Sequence, residues 1–377
     1  MKKSYLDFLQ CPKCASESLT IDAADDAPRI KEGTIRCAGC GSSYPIINHI
    51  PRFSRSTPYA DSFGPQWRTF AKSQLDTETT KESAIRFDSE IGWTQNDLRG
   101  KLVVEFGSGA GRFVDVASRR GAKLVVGLDA TDAVDAAQEN LIDRENVFFV
   151  QADIFSSPFR KASFDFGYSI GVFHHTPQPE RAFHILAQTI RPGGCIGLSL
   201  YEMSKYPRPN RTTLKVATLE LGWALNEWRC ELFRTVTTRL PRKLFLAYCK
   251  TVVPVLHVIN KVPVLRYVRY LLPSTCYRHL PVVWSMVDTH DTYCSQIVHQ
   301  YRGKDLFQWF LHEGMSEIVL RNSRAGFVSI TAVVEGDDIR AKRQLFLEQP
   351  GMPGYTRESV VRNASAGGMQ DSLNDLR

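Results

Sequence analysis

The 377-residue sequence lacks the features of an exported or membrane-spanning chain. It opens Met-Lys-Lys-Ser-Tyr-Leu-Asp, without the apolar run of a signal peptide, so a cytoplasmic location is predicted. Apolar runs occur within 244–272, but Lys250, Pro254, Lys261 and Pro263 interrupt them before about 20 apolar residues accumulate. We therefore expect no transmembrane helix, and the sequence contains no internal repeat.

Acidic residues are scarce in one segment of the chain. Between Lys205 and Ser285 lie 14 Lys and Arg residues but only three glutamates, although the whole chain has a formal net charge of +7. The first interpretation is a helical cap with a solvated basic face. Two alternatives stay open: peripheral contact with an anionic membrane, such as the inner membrane surface, and contact with RNA phosphates. RNA is less favoured because the segment is rich in Leu, Val and Tyr.

The nine cysteines are unevenly distributed, since four of them form two CxxC pairs and five are single. The pairs are Cys11/Cys14 and Cys37/Cys40, with 22 residues between them. In a reducing cytosol this spacing favours one metal site over a disulfide framework. Two CxxC pairs can bring four thiolates onto one tetrahedral zinc ion at about 2.3 Å, which leaves no open coordination position. A structural zinc is predicted.

The hydrophobic pattern predicts an α/β fold with two additions. Short apolar runs alternate with amphipathic stretches over residues 101–201, which is typical of βα units and a parallel sheet. Strands are predicted at 101–106, 123–128, 146–150, 164–170, 195–201, 316–321 and 327–333. The predicted regions are a zinc ribbon (1–53), a helical preface or lid (54–100), an α/β domain (101–334) with a helical basic insertion (202–300), and a disordered tail (335–377).

Three glycines at alternate positions, Gly107, Gly109 and Gly111, follow the strand predicted to end at residue 106. Glycine tolerates a positive φ and lets a ligand approach the backbone, and the following helix N-terminus offers free N–H groups. The spacing differs from the GxGxxG of dinucleotide-binding folds, and Glu105 lies two residues before the first glycine. We predict a cofactor site at these residues.

Further landmarks follow in chain order. Asp129 ends the second predicted strand, where an acid can bind both ribose hydroxyls. Asp153 follows the third strand, Phe164-Asp165 opens the fourth, and Arg191-Pro-Gly-Gly leads into the fifth. With the glycine loop, this series resembles the class I (Rossmann-like) SAM-dependent methyltransferases. The resemblance implies S-adenosyl-L-methionine (SAM) as cofactor, contact of Asp153 with its adenine, and a seven-stranded doubly wound sheet ending in an antiparallel hairpin.

Two upstream segments carry further resemblances. Residues 41–53, GSSYPIINHIPRF, are similar to small zinc-ribbon proteins that activate methyltransferases as partner subunits, although His49 stands where those proteins usually have glycine. The stretch around Phe63-Gly-Pro-Gln-Trp67 looks like the helical preface of bacterial methyltransferases that fuse such a ribbon to the catalytic domain. This resemblance implies that Gln66 and Gln74 belong to a lid over the cofactor.

The acceptor side is predicted from the end of the fourth strand and from the segment before the last helix. His174 and His175 lie in a GVFHHTP stretch that resembles a methyltransferase-subgroup motif, and either could be a general base. Asp288 and His290 belong to a second polar cluster. The predicted substrate-pocket residues are Tyr168, Tyr201, Asp291, Tyr293, His299 and Tyr301.

Two absent motifs narrow the acceptor. The sequence has no (Asp/Asn/Ser)-Pro-Pro-(Tyr/Phe) motif, which disfavours an exocyclic amine of a nucleobase, and no Pro-Cys dipeptide for attack on cytosine. The leading prediction is O-methylation of a small-molecule or glycan acceptor, including a lipid-linked one. An RNA methyltransferase and a non-enzymatic SAM-binding scaffold are the alternatives, and the oligomeric state stays open.

Overall fold

The computed structural model describes residues 1–23, 28–54, 57–61, 63–203, 228–321 and 326–336. The chain begins with a 3-10 helix, Lys3–Phe8, and a four-stranded antiparallel sheet. In spatial order its strands are β1 (Leu19–Asp22), β2 (Gly33–Cys37), β3 (Ser43–Ile47) and β4 (Ile50–Pro51). We call residues 1–53 the ribbon.

The ribbon is packed onto the rest of the protein through a shared hydrophobic core. Buried ribbon side chains such as Leu9 belong to the same cluster as Phe148 on the large sheet, and the ring of Tyr5 lies 4.5 Å from that of Phe148. Backbone hydrogen bonds cross the boundary as well, from Gln10 N to Pro158 O at 2.7 Å. The ribbon is therefore an integral part of the core, not a tethered module.

Three short helices form the preface: α1 (Phe63–Thr69), α2 (Glu82–Glu90) and α3 (Gln95–Leu98). The last begins at a capping box in which Thr94 and Asp97 satisfy each other's backbone N–H groups. Helix α2 buries Phe87 against the ring of Phe113 on the next domain. The preface is thus less helical than its sequence indicated, but it packs on the large sheet.

The large sheet confirms the predicted α/β fold. Its strands are β5 (Leu102–Phe106), β6 (Leu124–Asp129), β7 (Val147–Gln151), β8 (Phe164–Ile170), β9 (Ile190–Tyr201), β10 (Met315–Arg321) and β11 (Phe327–Val334). The spatial order is β10-β11-β9-β8-β5-β6-β7. Strands β5 to β9 run parallel, while β11 is antiparallel to both β9 and β10. This is the seven-stranded sheet with a terminal hairpin of class I methyltransferases.

Helices cover both faces of this sheet, as expected for a doubly wound fold. They are α4 (Arg112–Arg119), α5 (Ala133–Asn140), α6 (Pro179–Thr189) and α10 (Gly303–His312). Successive residues of a strand point to opposite faces, so Val103 joins the cluster with Phe87, whereas Val104 joins the cluster with the ribbon. Both faces are buried, which explains the nearly continuous apolar strands.

Strand β9 starts earlier than predicted. The predicted strand starts at residue 195, but α6 ends at Thr189 and the strand begins at Ile190. Ile190 pairs with Phe164, and the register shifts before Cys195 pairs with Phe166. Pro192 cannot continue a helix, and the irregularity accommodates the two glycines that follow it.

The insertion is helical in its described part. Residues 228–237 form α7, followed by α8 (Arg242–Ile259), a 3-10 helix (Leu265–Leu271) and α9 (Val282–Cys294). We call residues 228–294 the cap. It has a small core of its own around Phe245 and Tyr293. Residues 204–227, and the predicted tail from 337 onwards, lie outside the described residues. Among the helices that are described, none combines the length and apolar character needed to cross a bilayer.

Candidate active site

The four paired cysteines converge at one end of the ribbon. Cys11 Sγ lies 3.6 Å from Cys40 Sγ, and Cys14 Sγ lies 3.6 Å from Cys37 Sγ. All four sulfurs lie within 4.8 Å of one another, close to the separation of about 3.8 Å that a tetrahedron of 2.3 Å Zn–S bonds requires. The donor set therefore fits a structural zinc ion, which these four residues would hold with no position left for a substrate.

The glycine loop forms the floor of the main cleft. Gly107, Gly109 and Gly111 all have positive φ, at 83°, 50° and 85°. A Cβ on Gly107 would lie 2.4 Å from Val172, and one on Gly109 would lie 3.2 Å from the indole of Trp67. Side chains at these positions would crowd Val172 and Trp67, so glycine lets the loop pass close to them at the N-terminus of α4.

Asp129 holds this loop from the neighbouring strand. Its Oδ2 accepts a hydrogen bond from Gly109 N at 2.9 Å, and its Oδ1 accepts from Thr131 N at 2.9 Å and from Thr131 Oγ1 at 2.8 Å. Burial raises the pKa of Asp129. The carboxylate lies at the carboxyl end of β6 and lines the cleft, where parallel sheets bind their ligands.

Glu105 lies at the base of the cleft, against a buried tyrosine. Burial raises the pKa of Glu105 well above its usual range. The Tyr168 hydroxyl is 3.3 Å from Glu105 Oε2 and 3.0 Å from the carbonyl oxygen of Phe113. Tyr168 is fully buried and does not line the cleft. Its predicted place in the substrate pocket is therefore corrected: alternation along β8 points it beneath the loop.

The predicted lid glutamines connect the preface to the cap. Gln74 Oε1 accepts from Arg112 Nη1 at 3.0 Å, and Gln74 Nε2 donates to Asp288 Oδ1 at 3.2 Å. Gln66 Oε1 lies 2.6 Å from His290 Nδ1, which must therefore donate. Both glutamines are buried and line the cleft. Side chains from the preface and from α9 thus meet over the glycine loop.

The two adjacent histidines have different surroundings. His175 lines the cleft, and its Nδ1 lies 2.8 Å from the carbonyl oxygen of Ile297. His174 lies deeper, with its ring stacked 3.8 Å from that of Tyr201, and its Nδ1 accepts from Tyr201 N at 3.2 Å. Burial lowers the pKa of both, to about 4 for His175. Both rings are therefore neutral near pH 7.

Comparison with known proteins adds to this geometry. Residues 104–198 match the family described as methyltransferase domain. The match contains the glycine loop, Asp129 and the histidine pair. This segment is a methyltransferase domain. With the sheet order, it makes SAM the cofactor for which the cleft is built. No curated protein matches the sequence.

Several solved structures resemble the chain. They include a SAM-dependent methyltransferase from Mesorhizobium loti, 28% identical over 28% of this chain and 48% of that chain, with a TM-score of 0.27. A complex of the Haloferax volcanii Trm112 methyltransferase activator with a methyltransferase is 13% identical over 73% and 98%, with a TM-score of 0.40. A SAM-dependent methyltransferase from Aquifex aeolicus is 10% identical over 74% and 94%, with a TM-score of 0.34. The chain spans about half the length of the first.

The cleft of the methyltransferase domain also fits SAM in size and polarity. Including the space open at its mouth, its empty volume is about 1030 Å³. Ser108 and His175 both line the cleft. Ser108 Oγ and His175 Nε2 are buried and have no hydrogen-bond partner among the described residues. A bound ligand is the natural partner for such atoms.

Two acids of α9 and a tyrosine of β9 complete the wall opposite the glycine loop. The Tyr201 hydroxyl donates to Asp291 Oδ2 at 3.4 Å. Burial raises the pKa of Asp291 to about 6 and also raises that of Asp288. Tyr201, Asp288 and Asp291 all line the cleft. The predicted acceptor side is thus partly assembled around the methyltransferase domain.

Other predicted residues lie elsewhere. Tyr293 packs within the cap, with its hydroxyl 3.1 Å from Arg229 Nη2, because it points to the cap's own core. Tyr301 lines a separate groove against Trp309, and His299 contributes its backbone N–H to His174 O at 2.9 Å. None of these three lines the cleft, so their assignment to the pocket is corrected.

Two of the predicted cofactor residues also lie just outside the cleft. Asp153 accepts from the Tyr59 hydroxyl at 2.7 Å, and only Tyr59 lines the cleft. Gly111 packs behind the loop, where a Cβ would lie 3.2 Å from Leu141. In this structure Asp153 holds a lining tyrosine, and Gly111 lies where the loop packs closely on α5.

Arg86 was missed by the sequence reasoning. Its guanidinium lies 4.4 Å above the ring of Phe327, and its Nε donates to Glu90 Oε1 at 2.7 Å. Both Arg86 and Phe327 line the cleft. Arg86, together with Arg112, adds positive charge to a cleft that also holds the carboxylates of Asp288 and Asp291. A positively charged residue on the buried side of an otherwise amphipathic helix was the available signal.

Proposed function

We propose that this chain transfers the methyl group of SAM to an oxygen atom of a small-molecule or glycan acceptor, and that His175 accepts the proton of the acceptor hydroxyl. The proposal rests chiefly on the hydrogen bond between His175 Nδ1 and the Ile297 carbonyl. A carbonyl oxygen can only accept, so Nδ1 carries the ring proton. The lone pair of the neutral ring is therefore on Nε2.

The position and the protonation state of His175 fit this role. Its Nε2 is buried and has no partner among the described residues, and the side chain lines the cleft that contains the glycine loop. Burial lowers the pKa of His175 to about 4, so the ring is unprotonated near pH 7. Transfer to oxygen benefits from a base near the hydroxyl.

His174 is the weaker candidate, because its hydrogen bonding has the opposite polarity. Its Nδ1 accepts the N–H of Tyr201, so the ring proton is on Nε2 and no free lone pair remains. The stacked Tyr201 ring and complete burial hold it behind the cleft wall. We assign His174 as a positioning residue that fixes the end of β9.

The remaining groups bind, orient and exclude water. When bound, SAM supplies an activated methyl group, and catalysis then depends mainly on alignment and desolvation. The glycine loop and the Asp129 carboxylate line the cleft, while Gln66 and Gln74 connect the preface to α9 over it. The four cysteines would hold zinc for structural purposes only.

The test uses the purified full chain and SAM carrying a ¹³C-labelled methyl group. The chain is incubated with small-molecule, glycan and total-RNA fractions in turn, and the chemical shift of the transferred carbon identifies the atom methylated. We expect O-methyl products in a small-molecule or glycan fraction. Label found only in RNA, or only on nitrogen or carbon, would overturn the proposal.

Three variants test the base. His175→Ala should lower kcat by about 10²- to 10⁴-fold, with the calorimetric Kd for SAM changed by less than threefold. His175→Gln should not restore activity, because an amide cannot take up the proton. His174→Ala is the matched control and should lower stability more than kcat. A His175→Ala enzyme with unchanged kcat would exclude His175 as the base.

A further inference from the structure

The cap exposes far more large apolar side chains than the rest of the protein. Among the described residues, 14 of the 19 exposed large hydrophobic side chains lie between Trp228 and Val282. The most exposed are Val264, at 81%, and Leu271, at 73%. Val264 directly precedes the 3-10 helix that follows α8, and Leu271 is the last residue of that helix. An exposed apolar concentration of this kind marks an interaction surface.

Helix α8 continues this surface with an apolar outer stripe. Leu244, Val255 and Val258 are exposed, and their spacing of 11 and 3 residues puts them on one side of a helix that turns about 100° per residue. The opposite side buries Phe245 and Cys249 in the cap core. The helix is therefore apolar towards the protein and also towards solvent.

Positive charge flanks the stripe. Residues 228–282 contain ten Lys and Arg residues but a single acid, Glu231, which pairs with Arg234 at 2.6 Å. Lys243, Lys250 and Lys261 are exposed. Lys243 and Lys250 lie seven residues apart on α8, about 100° from the stripe, and Lys261 follows the end of the helix. A strongly basic rim around an exposed aliphatic surface calls for an anionic and apolar partner.

We propose that this outer face, formed by α8 and the 3-10 helix Leu265–Leu271, binds the surface of an anionic lipid bilayer. The aliphatic side chains enter the boundary between headgroups and acyl chains, while the lysines contact anionic headgroups. The same chemistry disfavours a second copy of this chain, because two such basic faces repel each other. It also disfavours RNA, since the exposed large apolar side chains described on this face are aliphatic except Tyr267, which leaves little surface for base stacking.

The face is connected to the cleft through one helix. Helix α8 packs on α9, where His257 Nδ1 lies 2.9 Å from Ser285 Oγ, and α9 supplies Asp288 and Asp291 to the cleft wall. A bilayer bound to α8 therefore lies one helix away from the acceptor side. Membrane binding itself requires neither SAM nor catalysis, so it can be tested separately from the proposed function.

The test is co-sedimentation of the full chain with vesicles of phosphatidylcholine alone and of phosphatidylcholine mixed with phosphatidylglycerol. We expect binding to the mixed vesicles at least tenfold tighter than to neutral ones, and weaker in high salt. The double variant Val264→Asp/Leu271→Asp should lower affinity more than tenfold, and Lys250→Glu by about fivefold or more. The matched control is Leu320→Asp, on β10, where Leu320 is 63% exposed; it should change affinity less than twofold.

Three outcomes would overturn the proposal. The first is no binding to the mixed vesicles. The second is equal binding by the wild type and the double variant, which would place the contact elsewhere. The third is a wild-type dimer, or an RNA complex excluding vesicles, that the Val264→Asp/Leu271→Asp substitutions abolish, which would assign the face to a second copy or to RNA. Circular dichroism of each variant verifies that the fold is intact.

Discussion

The ribbon and the cap are both additions to the same sheet, but they are attached in opposite ways. The ribbon shares one continuous hydrophobic cluster with the sheet. The cap keeps a small cluster of its own and meets the preface and sheet through polar pairs, such as Gln74 with Asp288 and Tyr201 with Asp291. We call the contact of the ribbon with the sheet the apolar joint, and the contact of the cap with the preface and sheet the polar joint. The apolar joint contributes stability. The polar joint encloses the cleft and contains titratable side chains.

The largest expected effect tests the apolar joint. Cys11→Ser should remove the metal site, and because the ribbon shares its core with the sheet, the whole chain should lose stability. Zinc contributes about 10–16 kcal/mol in small zinc-binding peptides, so we expect the main unfolding transition to fall by more than about 10 °C. Scanning calorimetry and zinc analysis measure this.

Cys195→Ser is the matched control, since Cys195 is a half-buried single cysteine on β9. It should bind zinc normally and keep its main transition within a few degrees of wild type. A Cys11→Ser protein that loses zinc yet keeps the main transition unchanged would show that the ribbon is an independent module, and the comparison with the cap would fail.

An intermediate effect tests the polar joint. Burial lowers the pKa of His290 to about 4. As pH falls from 6.5, the unfolded chain gains this proton before the folded chain does, so stability falls with pH until about pH 4. Asp291 acts in the opposite direction, because its pKa is raised to about 6 and its contribution to stability is lost as pH rises through that value.

His290→Gln should therefore lose less stability on acidification than wild type. Between pH 7 and pH 5 we expect the difference to be about 2 kcal/mol, measured by urea unfolding at both values. His279→Gln, at an exposed position, is the control. It should lose as much stability between pH 7 and pH 5 as the wild type does. If the wild type and His290→Gln lose the same free energy of unfolding between pH 7 and pH 5, His290 does not contribute to the pH dependence of the polar joint.

The smallest effect concerns the cleft floor, which belongs to neither addition. Tyr168→Phe removes a hydroxyl near both Glu105 and the Phe113 carbonyl. We expect a loss of about 1 kcal/mol in the free energy of unfolding, with kcat within twofold. Tyr301→Phe, in the outer groove, should alter neither. A large fall in kcat without loss of stability would return Tyr168 to the substrate pocket.

The sequence predicted those parts of the fold and site that depend on local pattern. The glycine loop after β5 and the acid ending β6 are set by strand periodicity and by residues adjacent in the chain. The start of β9 was wrong because the pairing of Ile190 with Phe164 depends on the neighbouring strand. The residues next to Ile190 in the sequence do not indicate which residue of another strand it will pair with.

Long-range contacts explain the remaining differences. The hydrogen bond that distinguishes His175 from His174 joins residues 122 positions apart, and the contact of Gln74 with Asp288 joins residues 214 apart. Nothing near His175 in the chain indicates that Ile297 will be its acceptor. Tyr168 was predicted to line the substrate pocket because it lies on the fourth strand. Its side chain lies on the face of β8 that points towards Glu105 instead.

The docking of the ribbon has a consequence for aggregation. Strand β7, with the sequence Val-Phe-Phe-Val-Gln, is the last strand on its side of the sheet, and apolar edge strands can pair with other chains. The ribbon lies against that edge: Arg52 forms a parallel bridge with Gln151, and Phe53 N donates to Gln151 O at 2.8 Å. Besides carrying the four cysteines, the ribbon thus shields an apolar edge strand, and a chain in which the cysteine site is removed should become prone to self-association through β7.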